Sequence, residues 1–372
     1  MKLIIKKTLL ALAFSGCLLS GCSSLNIEGT KWSIKMPPGP AQSGQLCVDQ
    51  EGNLYAQTNA NGKVAIEKLN FTGESKWKTS LPDEFLVSSI DGCSLQRVLV
   101  ASMKFQQQDC SASKPPKDYF RLLSLAKTGK VEWEVDHGVS DLFAIYDLTE
   151  DSLGNAYVLL SQWHCIDGVR QEFADAVLVS FDPKGQLRYS NSYSLSGGFP
   201  ISLAVDSLNN VYMGGSYLRG HFLTALDKRG EPRWHIFDSD SASGSIEGMA
   251  FAGDGYLYTC GSSNGKLLVQ KYDTQGHRLW AYQDPQSSVS PLAKQCISAG
   301  ANSVYVMGEQ FHKNELTVLK LDSDGALREK LAYKIPPAFI TDMDSRKGSG
   351  DGVSIGGFTY GGNDSPFYIR IN

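Results

Sequence analysis

The sequence predicts an all-β chain folded as a seven-bladed β-propeller of four-stranded antiparallel blades, closed by pairing of its N- and C-terminal segments. Three observations predict it. The first is a half-motif of a turn followed by an alternating strand. It occurs at "DQEGNLYAQT" (49–58), "DSLGNAYVLLS" (151–161), "DSLNNVYMGGS" (206–216), "GDGYLYTCGS" (253–262) and "GANSVYVMGE" (300–309), with weaker copies at 95–103 and 350–358, seven in all. The second is an apolar strand, a D-x-x-G turn and a strand opening on an aromatic residue, at 179–189, 224–234 and 270–280, with degenerate copies at 67–77, 123–133 and 319–329. Only six of these are complete. The third is that the chain ends at "SPFYIRIN" (365–372) before its turn, while "NIEGTKW" (26–32) supplies a turn and an outer strand with no apolar strand before them. The two ends together make the seventh blade, and closing the ring leaves no long unpaired edge.

The first element is a targeting segment. "MKLIIKKTLLALAFSGCLLSGCSS" carries Lys2, Lys6 and Lys7 and then an apolar run too short for a membrane span, the pattern of a secretion signal. "LSGC", ending at Cys22, resembles the bacterial lipobox, which implies a signal peptide of residues 1–21, acyl chains on Cys22 and a short linker over 22–28. "FSGC", ending at Cys17, is the poorer match because Phe14 stands where the lipobox has Leu, Val or Ile. Ser23 rather than Asp after the cysteine resembles the signal for sorting to the outer membrane. Several acyl chains together give stable anchoring.

Residues 29–372 hold the propeller. With 42% hydrophobic and 20% charged residues, the chain has enough apolar mass for a large core. Inner strands before the first half-motif, such as "GQLCV" (44–48), "DLFAIYDL" (141–148), "PISLAV" (200–205) and "PLAKQCI" (291–297), bring each repeat to four strands. The equivalent positions Tyr55, Leu99, Tyr157, Tyr212, Tyr258, Tyr305 and Ser354 are 44 to 58 residues apart, against roughly 40 to 50 for propeller blades in general. The wide intervals are 99–157 and 157–212, so the second and third blades carry insertions, at 104–119 and 162–176.

These repeats resemble the bacterial SBBP-type β-propeller repeat and, more loosely, the pyrroloquinoline-quinone-like repeats of the BamB-type outer-membrane assembly lipoproteins. The resemblance covers nearly all of residues 29–372 and implies fold far more than function. The BamB-type propeller has eight blades, whereas seven are counted here. Quinone dehydrogenases of this kind use adjacent cysteines over the cofactor. No Cys-Cys pair occurs in this chain, and no cofactor is expected.

Five of the six tryptophans share one repeat position, which points to packing between blades. Trp163 stands apart in "SQWHCIDGVRQEF" (161–173). The D-x-x-G residues Asp182, Asp227, Asp273 and Asp322 are turn formers, in which Asp caps the turn and Gly supplies a positive φ. Six cysteines follow Cys22. Cys110 and Cys165 lie in the two insertions, on one face of neighbouring blades, and are expected to pair. Cys47 with Cys93 and Cys260 with Cys296 also sit on neighbouring blades, with buried free thiols as the open alternative. The histidines show no metal-ligand spacing, and no metal is expected. No Walker loop or C-x-x-C occurs.

Loss of residues 1–21 leaves 32 basic against 39 acidic residues, a net charge of about −7. Without a basic stripe, nucleic acid is excluded as a partner. The expected function is therefore a non-catalytic, lipid-anchored scaffold of the cell envelope, held to the outer membrane and presenting its insertions to a protein partner. Its contact residues would be Phe105, Trp163, His164, Ile166 and Phe173, and outer-membrane protein assembly is one setting. The alternative is a glycan-binding or glycan-processing propeller with a site in the central channel.

Overall fold

The computed structural model describes residues 32–35, 45–60, 63–82, 85–93, 97–104, 118–139, 142–166, 169–195, 197–217, 220–238, 244–286, 297–299, 303–310, 314–335, 338–345, 353–359 and 365–371. Among them there are 28 strands and no helix.

Each blade is a four-stranded antiparallel meander. The first comprises β2 (Leu46–Val48), β3 (Leu54–Ala60), β4 (Lys63–Leu69) and β5 (Ser75–Ser80), and the second β6 (Phe85–Asp91), β7 (Arg97–Lys104), β8 (Asp118–Ala126) and β9 (Val131–Val139). The third is β10 (Leu142–Glu150), β11 (Ala156–Ile166), β12 (Val169–Phe181) and β13 (Leu187–Tyr193). The fourth is β14 (Phe199–Val205), β15 (Val211–Tyr217), β16 (Gly220–Leu226) and β17 (Pro232–Asp238), and the fifth β18 (Gly244–Phe251), β19 (Leu257–Ser263), β20 (Lys266–Tyr272) and β21 (Arg278–Gln283). The sixth is β22 (Ile297–Ala299), β23 (Ser303–Gln310), β24 (Glu315–Asp322) and β25 (Leu327–Lys334). The seventh joins β26 (Ala338–Ser345), β27 (Val353–Thr359) and β28 (Ser365–Ile371) to β1 (Trp32–Lys35) from the other end of the chain, in the order β26-β27-β28-β1.

The clasp keeps the register of the repeat. Trp32 lies opposite Arg370 and Arg370 opposite Ser354, just as Trp77 lies opposite Lys68 and Lys68 opposite Tyr55. Neighbouring inner strands touch all the way round, β2, β6, β10, β14, β18, β22 and β26 closing on β2. The core consists of successive apolar layers between blades, because every blade is a sheet with a neighbour on each face.

Antiparallel alternation assigns the loops to two faces. Turns between first and second strands share one face with the D-x-x-G turns between third and fourth strands. The β11–β12 hairpin emerges on the other, together with the connections between blades. Side-chain bonds support the first grouping: Lys271 Nζ reaches Asp254 in a turn of the first kind at 2.9 Å and the Ser323 carbonyl in a D-x-x-G turn of the next blade at 2.9 Å. The insertion expected as a loop over 162–176 is instead a lengthened hairpin, with Trp163 opposite Ala174 and Ile166 opposite Val169. The alternating "SQWHCI" and "VRQEFA" continue the strand pattern past the usual blade length. Of the insertion at 104–119, Lys104 ends β7 and Asp118 begins β8, and the residues between lie outside the described residues.

Candidate functional site

The central channel holds a cavity of about 220 Å³, walled among the described residues by inner strands β2, β6, β10, β14, β18 and β26. Its chemistry follows from a property of those strands. Each pairs on one edge with the second strand of its blade and leaves amides on the other edge that need acceptors. Aspartates supply them across the blade junctions. Asp147 Oδ2 accepts the Leu203 amide of the next blade at 2.7 Å, while its Oδ1 accepts from Leu148 N at 2.8 Å. Asp342 repeats this at the ring closure, taking the Leu46 amide at 3.0 Å and the Met343 amide at 2.9 Å. Two residues on, Asp344 Oδ2 accepts the Val48 amide at 2.7 Å.

The sequence holds a signal for these clasps that motif searching misses, an Asp at the same inner-strand position in "IYDL" and "ITDM". With Asp91 and Glu247 the lining is acidic, and among the described residues it includes no Lys, Arg, His or Tyr. Such a field disfavours anionic ligands. Among the described residues no group of three or more His, Cys, Asp or Glu is placed to hold a metal ion.

On the channel wall, Cys47 of β2 and Cys93, just after β6, form a disulfide with Cα atoms 5.9 Å apart. This bond, one of the two states open to the pair, stitches the first blade to the second. Cys260 is buried, and its expected partner Cys296 lies outside the described residues. So does Cys110, so the proposed link to Cys165, which is placed by its β11 backbone alone, falls outside them as well.

Below the channel a second pattern repeats. Asp49, Asp151 and Asp206 each cap their turn and accept the hydroxyl of the tyrosine six residues on, Tyr55 at 3.0 Å, Tyr157 at 2.8 Å and Tyr212 at 3.0 Å. Burial raises the Asp49 carboxyl, but hydrogen bonds from Asn53 and Tyr55 and the field of Lys127 hold it below the usual range. In the second blade Leu99 occupies the tyrosine position, and Arg97 fills the junction instead. Its guanidinium bonds Glu150 Oε1 at 2.6 Å, the Pro183 carbonyl at 2.7 Å and the Gly154 carbonyl, and lies over Trp133. Burial pushes the Glu150 carboxyl up to about 7 against the pull of Arg97.

The other face carries the lengthened hairpin. Trp163 is 8% exposed and packs 6.5 Å from Phe199 of the next blade, with Ala174 beside it. It is a support of the hairpin rather than part of its outer surface. His164 is exposed and 3.1 Å from Asp175. Ile166 and Val169, at the hairpin tip, are 56% and 63% exposed. Val169 was not among the residues singled out from the sequence, because only strand pairing shows that it stands beside Ile166. Phe173 lies on β12 by its backbone, whereas Phe105 and Cys22 lie outside the described residues.

No family model and no curated protein matches the chain. Solved structures to which it is similar include a streptogramin B lyase, at 14% identity over 92% of this chain and 98% of that one, with a TM-score of 0.57. A catalytically inactive variant of virginiamycin B lyase from Staphylococcus aureus, with quinupristin, aligns at 14% identity over 91% and 99%, with a TM-score of 0.56. An ulvan lyase bound to a saccharide aligns at 8% identity over 92% and 95%, also with a TM-score of 0.56. At these identities the likeness is one of fold.

Proposed function

We propose that this chain is a non-catalytic, lipid-anchored propeller of the bacterial cell envelope that docks a protein partner on the β11–β12 hairpin, with outer-membrane protein assembly as its setting. The observation that carries the reading is the hairpin itself. It runs beyond the usual blade length, is braced underneath by Trp163 on Phe199, and ends in exposed Ile166 and Val169. A braced strand pair with an apolar tip offers both a hot spot and an open edge for strand addition. The Cys47–Cys93 disulfide fits an oxidising compartment, in keeping with a secretion signal at the N-terminus. The seven-bladed ring differs from the eight-bladed BamB-type propeller, so the envelope setting rests on the signal and the disulfide.

The test is in-cell crosslinking and affinity purification of wild type beside an Ile166→Asp, Val169→Asp double variant. The exposed positions keep the fold intact, so the expected outcome is one stoichiometric envelope protein, lost from the variant at unchanged Tm. Equal recovery from both, or no partner from either, sinks the docking role.

A second reading has its own observation, the acid-lined cavity. Similar folds include an ulvan lyase bound to a saccharide. Here Asp91, Asp147, Glu247 and Asp342 favour a neutral or amino sugar over a uronate. Calorimetric titration with neutral, amino and uronic-acid oligosaccharides separates these, and heat from none of them removes the glycan reading.

A further inference from the structure

The strand order decides where the N-terminal segment meets the propeller. Inner strand β26 runs from the hairpin face to the turn face, and three antiparallel steps through β27 and β28 make β1 run back from the turn face. Trp32 therefore enters at the turn face, and Cys22 lies ten residues before it. Ten residues span at most about 35 Å, so acyl chains on Cys22 would be tethered within that reach of the point where β1 enters the turn face.

The same face carries apolar side chains that the fold does not require there. Leu153 and Leu208, 65% and 74% exposed, occupy the same position of the D-S-L turns in adjacent blades. These turns are tied together, since Ser152 donates from N and Oγ to Asn209 Oδ1 at 3.2 and 2.8 Å. Their caps are made by Asp151 and Asp206, so any polar residue would serve at the leucine positions. Leu187 is exposed at the same end of the third blade, just after its D-x-x-G turn. Lys184, Lys228 and Arg229 are exposed on the neighbouring turns, where Asp182 and Asp227 are turned onto amides of their own turns and Glu231, which closes the second of them, leaves basic residues in excess over exposed acids by three to one.

We infer that the turn face of the third and fourth blades is apposed to the membrane, with Leu153 and Leu208 entering the headgroup region and Lys184, Lys228 and Arg229 meeting lipid phosphates. Leucines flanked by basic side chains are what an interfacial surface needs. The inference rests on acylation of Cys22. It leaves the β11–β12 hairpin on the side facing away from the bilayer, free for a protein partner.

Hydroxyl-radical footprinting of the full, acylated protein on vesicles of phosphatidylethanolamine and phosphatidylglycerol tests it, with the unacylated Cys22→Ala chain in solution as reference. The expected result is several-fold slower labelling of Leu153 and Leu208 on vesicles, with Ile166 and Val169 unchanged. Intact mass read on the same sample separates the two ways to fail. A chain without acyl groups overturns the anchor and the inference together. An acylated, vesicle-bound chain whose Leu153 and Leu208 label as in solution overturns the face assignment alone. Protection that vanishes on diluting the protein over the vesicles marks a second copy as the occupant and overturns it too.

Discussion

Glu150 is the residue whose environment departs furthest from what its neighbours in sequence announce. Its Oε1 is bound by Arg97, while its Oε2 is buried with no hydrogen-bond partner among the described residues. Burial, reinforced by the charge of Asp91, lifts the carboxyl from 4.5 to about 7 in spite of Arg97. Between those values the folded chain holds a proton that the unfolded chain has released. The stability from this group is thus full below pH 4.5 and lost as pH rises through 7. Burial depresses His137, His221 and His235, which works in the opposite direction over the same window, stability being lost as pH falls below 6.5. The comparison of Glu150→Gln with wild type therefore isolates the carboxyl. The variant should lose less Tm than wild type between pH 5 and 8, and parallel Tm profiles would refute the buried proton. None of this was legible in "LTEDS", because the charged groups that act on it from outside this stretch, Arg97 and Asp91, come from the neighbouring blade.

At the scale of the element, the blade junction is a repeated device. In four blades the tryptophan of the outer strand donates its indole Nε1 to a carbonyl in the D-x-x-G-type turn of the next blade, Trp77 to Lys127 at 2.8 Å, and Trp133 to Pro183, Trp234 to Thr274 and Trp280 to Ser323 at 3.0 Å each. The ring then lies on the turn glycine. At Gly325, φ is +85° and an added Cβ would stand 2.8 Å from Trp280, so this position needs glycine for both backbone and space. Trp280→Ala should cost about 3 kcal/mol, the low end for tryptophan truncation because the ring is only partly buried. Trp280→Phe should cost about 1 kcal/mol, mostly the lost hydrogen bond. Urea unfolding reads both, and a loss under 0.5 kcal/mol for alanine, roughly that of an ordinary surface change, would show that the junction is held elsewhere. This device was readable from spacing, since tryptophan and glycine recur at fixed offsets. The Asp147 and Asp342 clasps were not, because an aspartate in an apolar strand gives no sign of which open edge it will satisfy.

For the whole molecule, closure joins the two ends of the chain through one four-residue strand. Removing residues 22–35 leaves the seventh blade with three strands and the edge of β28 open. The truncated chain should lose its single cooperative transition and self-associate through that edge. Thermal melting with light scattering checks this, and a monomer with the wild-type melt would assign closure to the Asp342 and Asp344 clasps between β26 and β2. Periodicity by itself determined the number of blades, their four strands and the joining of the ends, because each of these is fixed by local turn chemistry and alternation repeated seven times. It also marked the third blade as the carrier of an insertion. Only the tertiary structure decided that this insertion is a strand pair with Trp163 inside and Ile166 and Val169 outside, that Cys47 meets Cys93, and that the acids of the channel clasp neighbouring blades. Those outcomes depend on which residues of adjacent blades come face to face. The blade junctions set that pairing, and a repeat read along one chain does not contain it.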